Sequence, residues 1–108
     1  MGAQRIVSLA PSITEILFAM QLGSRVVGDY QISPEKVVAL KPDLVVAHEV
    51  LNGRVIPVLK RLGLRVLHAN PNRFEKLYAF IRAIGTAADA TREAERLVRT
   101  MKARVDHV

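Results

Sequence analysis

The segment Asp43-Leu44-Val45-Val46-Ala47, directly after Pro42, is short, β-branched and apolar at successive positions. A strand presents successive side chains to opposite faces, so this one has no polar side to give to water. It has to be covered on both faces, a condition met by a parallel sheet held between two layers of helices. Three other runs share the property: Arg5-Ile6-Val7-Ser8-Leu9, Val26-Val27-Gly28-Asp29-Tyr30 and Arg65-Val66-Leu67-His68-Ala69.

Helical stretches separate these runs. Ser12-Ile13-Thr14-Glu15 has the form of a capping box, in which Ser12 bonds a first-turn amide and Glu15 reaches back to the cap amide. Ile13, Ile16, Leu17 and Met20 follow at helical spacing, and Gly23 is the expected stop. Ser33-Pro34-Glu35 starts a short second helix that Lys41-Pro42 ends. A third runs from Val55 to Leu62 with Pro57 in its first turn, which leaves Asn52 and Gly53 in a loop. A fourth begins near Asn72 and breaks at Gly85 to Asp89. A last one runs from about Ala90 towards Val108 and carries Leu97, Val98, Met101 and Val105 on one face.

The serial βα pattern predicts an α/β fold. Its sheet is four-stranded, parallel and doubly wound in flavodoxin-like order, with flanking helices and a long C-terminal helix. Residues 1–89 form the α/β lobe, and residues 90–108 a trailing helix of the same domain.

Composition removes several classes of function. The chain has no cysteine, which excludes disulfides, thiolate metal sites and cysteine nucleophiles. The net charge is +6, but the basic residues are scattered, so a solvated basic surface is expected and no nucleic-acid partner. No dinucleotide fingerprint, P-loop or nucleophile elbow follows any strand, and no carboxylate pair is placed for acid–base work; no enzyme activity is expected. No stretch is long enough to span a membrane.

Ligands of open parallel sheets bind beyond the carboxyl ends of the strands. The residues that reach that edge are Ala10, Pro11 and Ser12, then Tyr30, then His48, Glu49 and Asn52, with Asn70-Pro71-Asn72 after the fourth strand. Ser12 and Thr14 either cap a helix or offer a polar helix start to a ligand. Tyr30 either stacks on a flat ligand or closes the edge of the core. His48 and Glu49 suit a ligand carboxylate or a metal, but two neighbours do not complete a metal site, and none is assigned. His68 lies inside the fourth strand and is read as structural. Asp43 opens a strand at the opposite end and is read as a turn residue.

Several segments together resemble one family. They are Arg5 to Glu15, Leu22-Gly23-Ser24-Arg25-Val26-Val27-Gly28, the pair Asp29-Tyr30, Pro34 to Ala47, Leu62-Gly63-Leu64-Arg65-Val66 and Ile81-Arg82-Ala83-Ile84-Gly85. The set is similar to the first lobe of the helical-backbone, or class III, periplasmic binding proteins of ABC importers. The resemblance implies a metal-chelate ligand (cobalamin, ferric siderophore or haem), no cofactor, an ABC permease as partner and a place on the periplasmic or extracellular face of the membrane. Residues from about Ala90 onward would begin the helix that joins two lobes.

The chain departs from the pattern where only Gln31, Ile32 and Ser33 separate Asp29-Tyr30 from the next helix; family members carry a longer segment there. That leaves an alternative: a truncated, non-transporting α/β scaffold or dimerisation module derived from the family. A lobe alone would leave the face of Leu97, Val98, Met101 and Val105 partly bare, which predicts a homodimer.

Overall fold

The computed structural model describes residues 2–29 and 33–106. Their order is β1 (Ile6–Ser8), α1 (Pro11–Ala19), a single 3-10 turn (Gly23–Arg25), β2 (Val26–Gly28), α2 (Pro34–Ala39), β3 (Leu44–His48), α3 (Val55–Arg61), β4 (Val66–Ala69), α4 (Phe74–Ala87) and α5 (Thr91–Asp106). The strands form a four-stranded sheet in the order β2-β1-β3-β4, and every pair is parallel. This is the expected doubly wound arrangement, with its switch point between β1 and β3.

Alternation along the strands divides the core into two layers. Ile6, Leu44 and Val46 face one side, where α1, α4 and α5 supply Ile13, Leu17, Ile81, Ile84 and Val98. Val7, Val45 and Ala47 face the other, against Val37 of α2 and Ile56 and Leu59 of α3. The four residues Leu44 to Ala47 are fully buried, as a strand apolar on both faces requires.

Helix ends differ from the sequence reading in instructive ways. Pro11 and Ser12 lie inside the first turn of α1, whose N-cap is Ala10, and no side chain caps it. The proposed capping box does not form because Pro11, with φ preset for a helix, begins α1 one residue before Ser12. Thr14 instead donates to Ser8 Oγ at 2.8 Å, and Ser8 Oγ donates to the Ala10 carbonyl at 3.1 Å. The second cap is as expected: Ser33 Oγ accepts from the Lys36 amide.

Gly23 does not stop α1. Gln21 takes the left-handed conformation (φ 63°), while the Leu22 amide donates to Leu17 O and the Gln21 amide to Phe18 O. That pair of bonds is the Schellman arrangement. Gly63 (φ 85°) ends α3 in the same way, with Leu64 donating to Leu59 O and Gly63 to Lys60 O. Lys41 and Asp89 are also left-handed, after α2 and α4.

The predicted break over Gly85 to Asp89 is narrower than expected: α4 continues through Gly85 to Ala87, and the chain turns only at Ala88 and Asp89. A Cβ at Gly85 would lie 2.6 Å from the Ala94 Cβ. Glycine here lets α4 and α5 approach, and the backbone remains helical. Ala94 and Val98 of α5 are buried, and Leu97 and Met101 pack on the same core. The face expected to be bare is thus mostly covered by α4, with Val105 its exposed remainder.

Asp43 is more than a turn residue. Its two carboxylate oxygens accept from the Gln4 and Arg5 amides, both at 2.8 Å. The Arg5 guanidinium in turn donates to the carbonyls of Leu40 and Lys41 at the end of α2. Partial burial pushes the Asp43 carboxyl up, but the amide hydrogen bonds and the Arg5 charge outweigh it and hold it below its ordinary value. Its stabilising contribution is therefore complete above the ordinary carboxylate range and is lost as pH falls through the lowered folded value.

Two outcomes follow from this packing. Gly85→Val should cost about 2–3 kcal/mol by overpacking the α4–α5 contact, read from the denaturant midpoint at unchanged slope. Asp43→Asn should destabilise the protein at neutral pH and flatten the acid limb of its stability curve. Equal loss of stability by both proteins on acidification would show that Asp43 is not a source of that limb.

Candidate functional site

Parallel pairing sends the ends of all the strands to one pole. There the chain leaves β1 through Leu9 and Ala10, β2 through Asp29, β3 through Glu49 to Arg54, and β4 through Asn70 to Arg73. The loops after β1 and β3 flank the switch point. Of the expected edge residues, Pro11 and Ser12 are exposed at the start of α1, whereas Ala10 is fully buried. The Ala10 carbonyl accepts from the Ile13 and Thr14 amides, so this residue supports the edge from beneath. Tyr30 lies outside the described residues.

His48 and Asn52 are brought together. The His48 amide donates to Asn52 Oδ1 at 2.8 Å, and Asn52 Nδ2 donates to the Leu9 carbonyl at 3.1 Å. One side chain thus closes the β3–α3 loop and ties it to the β1–α1 loop across the switch point. His48 Nδ1 accepts from the Val50 amide at 3.1 Å and is within 3.4 Å of the Leu51 amide. These hydrogen bonds leave Nε2 of His48 as the ring's uncommitted nitrogen among the described contacts.

Glu49 faces β4. Its Oε1 lies 3.0 Å from His68 Nδ1, and His68 Nε2 lies 3.0 Å from Lys60 Nζ. An ammonium has no acceptor to offer, so Nε2 accepts and Nδ1–H donates to Glu49. His68 occupies the expected strand position, but its partly exposed ring belongs to the edge. Sequence spacing gave no sign of this, since Glu49 meets His68 through the pairing of β3 with β4, and Lys60 meets it where α3 packs on β4.

Open clefts flank this edge on either side of the sheet. One, of about 490 Å³, is lined by Leu9, Val37, Leu51, Asn52, Arg54 and Leu59. The other, of about 350 Å³, is lined by Glu49, His68, Asn70, Lys76 and Phe80. Both fall within the size range of small-molecule sites. Among the described residues no group of three or more His, Cys, Asp or Glu side chains could hold a metal ion, and no helix is long and apolar enough to cross a membrane.

The fold is shared with known proteins. A family model described as periplasmic binding protein matches residues 29–108. An ABC transporter substrate-binding lipoprotein of Bacillus subtilis strain 168, YvrC, described as uncharacterized, is 39% identical over 121 aligned positions, which cover 92% of this chain and 38% of that protein. The solved structure of a possible iron-binding (periplasmic solute-binding) protein from Staphylococcus epidermidis superposes with a TM-score of 0.85 at 28% identity, covering 99% of this chain and 50% of that one. The periplasmic vitamin B12 binding protein BtuF of Vibrio cholerae superposes with a TM-score of 0.86 at 25% identity, covering 97% and 49%. The chain therefore spans half or less of the length of these relatives. The alignment with the Bacillus protein is longer than the 108 residues of this chain. That relative thus carries residues within the matched span that this chain lacks.

Asn52→Ala should cost about 1–3 kcal/mol, because it strands the His48 amide and the Leu9 carbonyl in a partly buried site. Faster hydrogen exchange at the His48 amide should accompany the loss; unchanged exchange would mean that the brace does not hold the loop.

Proposed function

The chain belongs to the periplasmic binding protein family, and on that premise we propose that it forms one lobe of the substrate-binding component of an ABC importer. The cargo class is a metal chelate: cobalamin, a ferric siderophore or haem. The observation that carries the reading is the superposition of nearly the whole chain on one half of the Vibrio vitamin B12 binding protein and of the Staphylococcus protein. The role is binding and not catalysis. The partner is the importer's permease, and the site of action is the extracytoplasmic face of the membrane.

In this reading residues 1–89 are the lobe, and residues 90–108 begin the helix that leads away from it. Ser12, Pro11, Tyr30, His48 and Glu49 face the cargo, while Ala10 and Asn52 hold the edge in shape. The exposed start of α1 offers Ser12 to an anionic cargo, since Pro11 has no amide and the Ile13 and Thr14 amides already donate to the Ala10 carbonyl.

A second reading is favoured by the extra residues of the Bacillus relative within the matched span. The link from Gly28 to Pro34 is short. A cargo wall missing at that point would leave an α/β scaffold or dimerisation module that no longer transports.

Calorimetric titration with cyanocobalamin, haemin and a ferric hydroxamate siderophore separates the readings. Saturable binding of one of them, weakened about tenfold or more by Glu49→Ala, is expected for a cargo lobe. Absence of binding by all three at millimolar concentration would leave the scaffold reading.

A further inference from the structure

The chain Lys60–His68–Glu49 has a geometry that goes beyond the cargo contact proposed for Glu49. An amine lies 3.0 Å from an imidazole nitrogen, and the other ring nitrogen lies 3.0 Å from a carboxylate. A nucleophile, a base and a group that orients the base stand in this relation in activated nucleophile sites. The hydrogen-bond pattern fixes the tautomer: the Glu49 carboxylate accepts from Nδ1–H, so the lone pair of Nε2 faces Lys60. Glu49, from the β3–α3 loop, and Lys76, from α4, line the cleft beside His68 together with Asn70. Lys60 itself is exposed on α3, so a reactant reaches its amine from solvent.

We propose that Lys60 is a self-activated acylation site, with His68 as the general base and Glu49 as the positioning residue, and that its co-reactant is an acyl phosphate. The neutral form of Lys60 attacks the acyl carbon with its free lone pair while one N–H still points at Nε2. As the N–C bond forms, that proton passes to His68. The C–O bond to phosphate breaks, and phosphate leaves with the electron pair. The imidazolium so formed faces the Glu49 carboxylate and returns its proton to the leaving phosphate or to water. The product is a neutral amide at Lys60, with one positive charge removed beside the cleft. Lys76 supplies a cation near the path of the anionic donor.

The other lysines, Lys36, Lys41, Lys76 and Lys102, are internal controls within the same molecule. The full chain is treated with acetyl phosphate at low occupancy, and acetylation at each lysine is followed over time by peptide mass spectrometry. Lys60 should react about tenfold or more faster than the mean of the controls, as expected of general-base assistance. His68→Gln should bring Lys60 down to the controls without altering them, and Glu49→Gln should fall between. In the unaltered protein the pH profile at Lys60 should show an imidazole ionisation in addition to that of the amine, while the controls show the amine alone. Equal rates at Lys60 and the controls would overturn the proposal, and so would a Lys60 profile without the imidazole step. Both readings come from the native chain, so they stand even where a variant misfolds.

Discussion

Strands β1 and β3 pair with neighbours along both of their edges and lie under helices on both of their faces. Every backbone amide and carbonyl of these strands needs a partner within the sheet, because water does not reach them. The parallel ladder supplies those partners, and it aligns the four strand ends at one pole. The apolar side chains of Leu44 to Ala47 then need cover from two directions at once. The α1–α4–α5 layer and the α2–α3 layer are the answer to that single demand. The pole where the loops gather is a by-product of it, since loops at one end of a rigid sheet are held in fixed relation.

Much of this was legible in the sequence because the signals are local. Strands β1 to β4 appear as apolar runs, and the Ser33-Pro34 start and the Gly63 stop name their own geometry. The misreadings each have a local cause. Gln21 ends α1 in a conformation usually given to glycine, so its residue type carries no warning. Gly85 resembles a terminator, but its purpose lies on another helix, at Ala94. Pro11 preempts a capping box whose residues are all present.

The pole itself was legible as a set of loops and not as a set of contacts. His48, Glu49 and Asn52 were each marked by position, and each has its side chain engaged with another part of the edge. Asn52 reaches Leu9 across 43 residues of sequence, and Glu49 reaches His68 across 19. Periodicity and motif spacing report on neighbours along a helix or strand; contacts made between loops depend on sheet order, which only the fold reveals. Asp43 teaches the same lesson at the opposite pole, where a residue read as a turn pins the start of β1 and, through Arg5, the end of α2.

The passage from α4 to α5 contains almost no chain. Ala90 donates to Gly85 at 2.7 Å, Asp89 alone takes the left-handed bend, and α5 begins at Thr91. Such a joint has no slack residue to absorb a displacement. A push on the far end of α5 is delivered to α4, and through Ile81 and Ile84 to the sheet beneath. The last helix is in that sense a lever welded to the sheet.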